Sequence, residues 1–581
     1  MHRAAHTFRR RRSRGVTITN LPVPGYPKLD VTGLPDDGRE ELPGPRLHRV
    51  AVVPGSVLES HRELWGALEE AYPVTFVANR DDELGNVDAA ICFPGQSVSE
   101  RSRVPCLTLQ RPDTPRASAP FTVAMSRSDG LDRTLRTQRL LECEAAAPAT
   151  VRVERDTDVL AAVEGKPIWV RNATAGGREI AAAVPEELDE REYLRDHLTA
   201  GRFWSLLPLV HFLKRLCGGM CDPARPIDAC FIIDDPNPRL GSYGHVRFAE
   251  LARDARELGY HVAVATIPLD LVLPGRRAAA VFRDHPGQLS LVMHGNDHVR
   301  RELERPGSSA EAGRIVRSAT ARVARFERVA GLRVERVMCP PHGACGAPML
   351  GALFRWGFLG LAASRPFPWD AFSDHARWRL GGWLPAQLAG GGLPVVSRYL
   401  LTRNLDDLVF RAFLDQPLIL YCHHSDLRDA LHSVHAAVAR AAEIGDVRWG
   451  SLASITRRNA VCRVRDGVAT VGVYSCDLRI PRPRASSIRV EVPPIFGGSD
   501  PLPIVVDGRR YDVPAAIRGG YAFEAASDHA ADELRVRICG GEGTCGARFR
   551  DWRPSAWPLT RRVLTESRDR ALPVVRALRR V

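Results

Sequence analysis

Short apolar segments alternate with longer amphipathic segments between residues 226 and 458, and this alternation constrains the fold more than any other feature. Apolar residues recur at helical spacing over 245–258, 310–329 and 429–444. Unbroken apolar runs are typical of strands that are buried on both faces, and strands that alternate with helices are typical of parallel sheets. We therefore predict an α/β fold with an irregular (β/α) barrel over 226–458. The predicted strands are 229–233, 261–267, 289–293, 336–339, 358–363 and 418–422.

Clusters of polar residues directly follow four of these predicted strands. In barrels, the loops after the strands converge on one face, where catalytic groups gather. The clusters are therefore expected to meet in space. They are Asp234 with Asp235, His294 with His298, the run Pro340-Pro341-His342-Gly343, and His423 with His424.

The residue types in these clusters suit a metal centre. The spacing of His294 and His298 predicts two imidazoles on one face of a helical turn, and one added carboxylate makes a three-ligand set with an open position for water. Adjacent aspartates at a strand end point in different directions, so one could bind metal while the other moves a proton. Taken alone, an Asp-Asp pair is more often a turn cap beside a solvated residue.

Taken in order, these motifs resemble the polysaccharide deacetylase (NodB-like, carbohydrate esterase family 4-like) superfamily over roughly 226–458. The resemblance implies a barrel of the deacetylase type, a divalent metal, commonly zinc, and a carbohydrate or glycoconjugate substrate. It further implies roles for individual residues. These are Asp235, His294 and His298 as metal ligands, Asp234 as catalytic base, His423 as general acid with His424 as an equal alternative, and backbone N–H groups near Pro341 and His342 as the oxyanion site.

The sequence departs from the family pattern at several positions. Cys339 stands where the family has an arginine that pairs with the catalytic aspartate, so another group is expected to orient Asp234. His342 replaces an aromatic residue, and Pro236 replaces a glycine. Residues 369–370, Trp-Asp, are a candidate for the fourth family motif.

The remaining segments have different patterns. Strand and helix signals alternate after residue 47, which predicts a small flavodoxin-like α/β domain, and period-two alternation after 459 predicts a small antiparallel β domain. The expected organisation is a basic, Pro/Gly-rich tail over 1–46, the α/β domain over 47–150, a connecting segment over 151–225, the barrel over 226–458, the β domain over 459–545, and a basic tail or helix over 546–581.

The net charge of +13 does not by itself indicate nucleic-acid binding. Lys28, Lys166 and Lys214 are the only lysines, and the arginines are spread through every segment, so no specific nucleic-acid partner is expected. The thirteen cysteines form no C-x-x-C pair, which favours buried reduced thiols. No apolar run is long enough for a transmembrane helix or the h-region of a signal peptide, so we expect a cytoplasmic protein.

These patterns favour a metal-dependent hydrolase that removes an acyl group, expected to be acetyl, from the nitrogen of an amino sugar in a polysaccharide or glycoconjugate. The alternative is a barrel without catalysis that serves in binding or assembly, an interpretation that Cys339 favours. A glycoside-processing enzyme ranks last, because it would need a second catalytic carboxylate.

Overall fold

The structure, a computed structural model, covers the chain from residue 47 to 578 with several gaps. The predicted tail 1–46 lies outside the described residues. The described ranges are 47–78, 86–97, 103–112, 119–154, 156–172, 177–189, 191–218, 225–272, 275–299, 301–369, 379–429, 431–515, 520–525, 531–539 and 556–578.

The first part of the chain forms a nine-stranded mixed sheet with the order β2-β1-β3-β4-β9-β8-β7-β5-β6. Its elements are β1 (His48–Val53), α1 (Val57–Ser60), α2 (Arg62–Ala71), β2 (Val74–Ala78), β3 (Ala89–Cys92), β4 (Cys106–Leu109), β5 (Phe121–Met125), β6 (Arg139–Glu142), β7 (Thr157–Val163), β8 (Lys166–Asn172) and β9 (Arg178–Ala181). The five adjacent strands β2, β1, β3, β4 and β9 pair in parallel, as expected for an α/β domain. The other strands are antiparallel, and β7 to β9 come from the segment that we expected to connect two domains.

The middle of the chain forms a second, larger sheet. Its elements follow α3 (Leu207–Leu216) and are β10 (Ile227–Asp234), β11 (Ser242–Tyr243), β12 (Val246–Arg247), α4 (Phe248–Leu258), β13 (Val262–Thr266), α5 (Arg276–Asp284), β14 (Leu289–Met293), α6 (Ser309–Ala330), β15 (Val334–Met338), α7 (Ala347–Arg355), β16 (Gly360–Ala363), β17 (Gln387–Ala389), β18 (Leu393–Ser397), β19 (Tyr399–Leu400), α8 (Asp407–Phe413), β20 (Leu418–His423), α9 (His432–Ile444), β21 (Val447–Trp449) and α10 (Leu452–Arg458).

Eight strands of this second sheet are parallel and adjacent, in the order β19-β20-β10-β13-β14-β15-β16-β18. All residues of β10 are buried, as expected for a strand with neighbours on both sides and layers on both faces. The ladder continues to the antiparallel β17, and among the described residues it does not return to β19. The mixed α/β class is confirmed, whereas the predicted closure into a barrel is not.

Parallel pairing brings the carboxyl ends of the strands to one edge of the second sheet. Asp234 ends β10 and lies in register with His423, the last residue of the neighbouring β20. His294 directly follows β14, two strands further along the ladder. The predicted clusters therefore share one edge, which is the condition for a common site.

The last part of the chain contains two four-stranded sheets and a long helix. Its elements are β22 (Ala460–Arg465), β23 (Val468–Val473), β24 (Asp477–Pro481), β25 (Ser487–Val492), β26 (Ile495–Phe496), β27 (Leu502–Val506), β28 (Arg509–Val513), β29 (Tyr521–Ala525), β30 (Glu533–Ile538) and α11 (Ala556–Leu578). The sheet orders are β22-β23-β25-β29 and β24-β30-β27-β28. Buried and partly buried residues alternate along β23 and β25, as predicted, but these two strands pair in parallel rather than antiparallel.

The described residues also bear on the predicted state of the cysteines and on membrane-spanning helices. The eleven cysteines within the described ranges are free thiols, while Cys221 and Cys545 lie outside those ranges. No described helix is long and apolar enough to cross a membrane.

Candidate metal centre

Asp235, His294 and His298 lie together at the carboxyl edge of the second sheet. Each offers one ligand atom, and these atoms all lie within 4.8 Å of one another. Asp235 Oδ1 is 3.8 Å from Nε2 of His294 and 3.6 Å from Nε2 of His298. One carboxylate oxygen and two imidazole nitrogens are a donor set that suits zinc and similar divalent cations, and three protein ligands leave a coordination position open.

The hydrogen bonding of His294 fits a ligand role. Its Nδ1 lies 2.8 Å from the backbone carbonyl oxygen of Cys339, so Nδ1–H donates and Nε2 keeps a free lone pair toward Asp235. Burial lowers the pKa of His294 below its usual value even though Asp234 and Asp235 act in the opposite direction. Burial, together with His294, lowers the pKa of His298 to about 4. Both imidazoles are therefore neutral near pH 7, as metal binding requires.

The loop that carries the two histidines is held by the partly buried carboxylate of Glu302. Glu302 accepts hydrogen bonds from the backbone N–H groups of Asn296, Asp297 and His298 at 2.7–3.0 Å. Residues 294–299 form no helix, so the expectation of a helical turn was wrong. Gly295 and His298 have φ of +70° and +56°, and these left-handed residues turn both imidazoles inward in a loop.

Asp235 also adopts a left-handed backbone, with φ of +81°. Its N–H donates to the carbonyl oxygen of Ala265 at 3.1 Å, which extends the ladder between β10 and β13 by one step. A residue other than glycine in this region is strained, and such strain is found most often at functional sites. The turn at Asp235 lets two adjacent aspartates face one site.

Asp234 is paired with a buried arginine that the sequence analysis missed. Arg398 Nη1 lies 2.7 Å from Asp234 Oδ1, and the two side chains are only 2% and 3% exposed. Burial raises the pKa of Asp234, but Arg398 and His294 lower it more, so the carboxyl has a pKa below its usual value. The guanidinium also lies over the ring of Tyr421, 4.3 Å from its centroid, which limits its movement.

Arg398 follows β18 directly, and this position after a buried strand is the sequence feature that could have identified it as a site residue. The rule that selected the other clusters, a polar residue just after a buried strand, applies equally to Arg398. Cys339, where the family arginine was expected, is fully buried close to both Arg398 and Asp234. The cation that pairs with the aspartate thus comes from a different strand of the same edge.

The two candidate acids, His423 and His424, have different surroundings. The side chain of His423 is 48% exposed and lies in register with Asp234. His424 is buried, with Nε2 3.6 Å from Asp569 Oδ2 and its ring against Gly244. Of the two, His423 has the more open approach to the site.

The predicted oxyanion residues lie in a turn after β15. Pro341 has no backbone N–H, and the N–H of Gly343 donates to the carbonyl oxygen of Pro340 at 3.1 Å. His342 has φ of +63°, and its ring centroid is 5.7 Å from that of His298. The backbone N–H of His342 is therefore the remaining candidate in this turn, and the contribution expected around Pro341 cannot come from Pro341 itself. Residue 370, of the fourth candidate motif, lies outside the described residues.

Helix α11 forms one wall of the site, which the sequence did not predict. Arg562 binds Asp270 through both carboxylate oxygens, at 3.1 and 2.5 Å, and Asp569 accepts a hydrogen bond from the hydroxyl of Tyr243 at 3.0 Å. A cavity of about 270 Å³ lies between this helix and the sheet edge. Its lining residues are Asp235, His298, His423, His424, Ser425, Arg561, Arg562, Thr565, Arg568 and Asp569.

No protein-family model matches this chain, and no curated protein matches its sequence significantly. Solved structures of deacetylases do match part of it. A presumed polysaccharide deacetylase of Mycobacterium smegmatis is 13% identical, with a TM-score of 0.27, over 41% of this chain and 93% of its own. A family 4 carbohydrate esterase from Streptomyces lividans is 11% identical, with a TM-score of 0.23, over 40% and 94%. A polysaccharide deacetylase from Bacillus cereus is 11% identical, with a TM-score of 0.22, over 39% and 92%.

Identities and TM-scores this low do not indicate the function of this chain, for which the geometry of the site is the evidence. The chain has a partial and divergent likeness to polysaccharide deacetylases.

Proposed function

We propose that this protein is a metal-dependent deacetylase that hydrolyses the amide of an N-acylated amino sugar in a polysaccharide or glycoconjugate. One juxtaposition carries the proposal. A three-residue set suited to a divalent cation lies beside a carboxylate, Asp234, that Arg398 holds ionised. A structural metal site would need no ionised base next to an open coordination position.

Asp235, His294 and His298 would hold the cation, and zinc is the expected metal. When bound, such a cation supplies a Lewis acid for the acyl carbonyl and lowers the pKa of water at its open position. Asp234, ionised through Arg398, accepts the proton of the attacking water. The N–H of His342 would donate to the developing oxyanion.

Protonation of the leaving amine requires an acid on the same edge. His423 is our assignment, because it is in register with Asp234 and is exposed to the cavity. His424 is held against Gly244 and near Asp569, so its role is to fix the wall of the site rather than to donate a proton.

The alternative of a binding module without catalysis was favoured by the missing arginine at Cys339. Arg398 supplies a guanidinium to Asp234, so this objection to catalysis is removed. Only a direct measurement of turnover separates the two functions.

The test uses the purified full chain with metal content measured by mass spectrometry and acetate release measured from N-acetylglucosamine oligosaccharides. Asp234→Asn should keep stoichiometric metal and lose about 10²–10⁴-fold in turnover, the range for general base catalysis. His298→Ala should lose both metal and turnover. His432→Ala, an exposed histidine at the start of α9, is the matched control and should change neither.

Two results would contradict the proposal. One is a wild-type chain that binds no divalent metal after incubation with zinc, manganese or cobalt. The other is acetate release by Asp234→Asn at the wild-type rate.

A further inference from the structure

A second cavity, of about 510 Å³, adjoins the metal centre and is rich in arginine. We call it the arginine subsite, and its lining residues are Val299, Arg301, Arg305, His342, Trp557 and Arg561. Three of these six described residues are arginines, and none of the six carries a carboxylate. A cavity of this composition attracts an anion.

The guanidinium charges of the arginine subsite are only partly neutralised. Arg301 Nη1 lies 3.5 Å from Glu304 Oε2, and Arg365 shares the same carboxylate at 3.6 Å. Arg561 donates to the backbone carbonyl oxygen of His298, which carries no charge. Arg305 is exposed and has no ion pair with any residue that the structure describes. The subsite therefore keeps a net positive charge.

Trp557 gives the arginine subsite an aromatic surface. This residue is 61% exposed, although most tryptophans in folded proteins are largely buried. It lies in the first turn of α11, at the end of the helix that faces the cavity. An exposed indole offers a flat apolar face beside hydrogen-bond donors, a combination that suits stacking against a sugar ring.

The arginine subsite is continuous with the metal centre. Arg561 lines both cavities and bonds to the backbone of His298, a metal-ligand candidate. His342 lines the subsite, and its ring centroid lies 5.7 Å from that of His298. A ligand that fills both cavities would thus pass from the arginines to the open coordination position.

From these features we infer that the substrate is an acidic glycan, in which the acylated amino sugar at the metal centre is linked to a sugar bearing a carboxylate or phosphate that occupies the arginine subsite. Guanidinium groups bind both anions through paired N–H donors, so the shared chemistry is an oxyanion on a saccharide. This inference rests on the proposed function for the identity of the amino sugar. The acidic group of the substrate is inferred from the positive charge of the arginine subsite, and the sugar ring beside it from the exposed indole of Trp557.

Binding is tested with the full chain stripped of metal by a chelator, so that no turnover occurs. Three fluorescent hexamers are compared by anisotropy: alternating N-acetylglucosamine and glucuronate, neutral N-acetylglucosamine, and N-acetylglucosamine bearing a phosphate. At low salt, at least one acidic hexamer should bind about tenfold or more tightly than the neutral one, and added salt should remove this advantage. The carboxylate and phosphate hexamers show which oxyanion is preferred.

Single-residue variants test whether the preference for an acidic hexamer arises in the arginine subsite. Arg305→Gln should reduce the preference for the acidic hexamer several-fold, whereas Arg277→Gln, on the exposed face of α5, is the matched control and should leave it unchanged. Trp557→Ala should weaken neutral and acidic hexamers alike, because stacking on the indole does not depend on charge. Equal binding of all three hexamers by the wild type would overturn the inference, as would equal effects of Arg305→Gln and Arg277→Gln. A single-stranded oligonucleotide that binds more tightly than either acidic hexamer would also overturn it.

Acetate release from the same hexamers by the metal-loaded chain separates this inference from the proposed function. Release from the neutral hexamer without any acidic preference would refute the arginine subsite and leave the deacetylase in place. Binding of an acidic hexamer that depends on Arg305, with no acetate release from any hexamer, would refute the deacetylase and support the subsite.

Discussion

Replacement of Arg398 by methionine should destabilise the carboxyl edge of the second sheet. Arg398 Nη1 and Asp234 Oδ1 are 2.7 Å apart in a buried pair. At an effective dielectric constant of about 20, the gross attraction at that distance is about 6 kcal/mol. Much of it offsets the cost of removing both charges from water, but loss of one partner leaves the other charge uncompensated. The expected cost of Arg398→Met is about 3–5 kcal/mol.

The chain contains several sheets, so a single global unfolding transition is not a safe measure. Hydrogen–deuterium exchange of peptides from β10 and β18 reports the local opening free energy instead. Exchange is measured on metal-free protein for the wild type, Arg398→Met, Asp234→Asn and the double variant. Asp234→Asn in the Arg398→Met background should recover at least half of the lost stability, because it removes the unpaired charge.

A surface pair provides the matched control. Arg510 Nη2 and Asp512 Oδ1 are 3.1 Å apart, and their side chains are 61% and 53% exposed. Arg510→Met should change the local opening free energy of β28 by less than about 1 kcal/mol. The reasoning is refuted if Arg398→Met costs no more than this control, or if the double variant is no more stable than Arg398→Met.

Three further outcomes are expected. Zinc at about 100 times its dissociation constant should raise the unfolding free energy of the site region by about 2.7 kcal/mol in the same exchange measurement. A chelator should reverse this gain. Equal protection by zinc in His298→Ala would show that the metal binds elsewhere. Glu302→Gln should weaken zinc affinity about 10–100-fold in a competition titration, because the loop loses its carboxylate acceptor; unchanged affinity would mean that the loop is held by other contacts. Gly244→Ala should destabilise the protein by about 2–4 kcal/mol, since φ there is +55° and an added Cβ would lie 2.1 Å from Nδ1 of His424; thermal melting at the wild-type temperature would contradict this.

The sequence by itself determined which strands end in the candidate site residues. Buried parallel strands have a strong local signal, an apolar run with polar residues after it, and the order of those residues along the chain carried the family resemblance. Because parallel strands place their carboxyl ends at one edge, Asp235, His294 and His298 could be expected to meet, and their ligand atoms do lie within 4.8 Å of one another.

Local pattern did not determine how the histidine loop is built. A His-x-x-x-His spacing fits a helical turn, but Glu302 accepts hydrogen bonds from the backbone N–H groups of Asn296, Asp297 and His298 in a non-helical conformation. That carboxylate makes a loop stable with Gly295 and His298 at positive φ. The hydrogen bonds to Glu302 therefore stabilise a loop where the spacing of the two histidines alone predicts a helical turn.

Tertiary structure alone decided the partner of Asp234 and the wall of the site. Arg398 is 164 residues from Asp234 along the chain, and Asp569 is 326 residues from Tyr243. Arg398 does follow a buried strand, but arginine is spread through the whole sequence, and the sequence alone does not show which guanidinium is buried against a carboxylate. A contact between distant segments depends on how strands and helices pack, and α11 reaches the candidate metal centre because Arg562 and Asp569 bind the buried side chains of Asp270 and Tyr243 there.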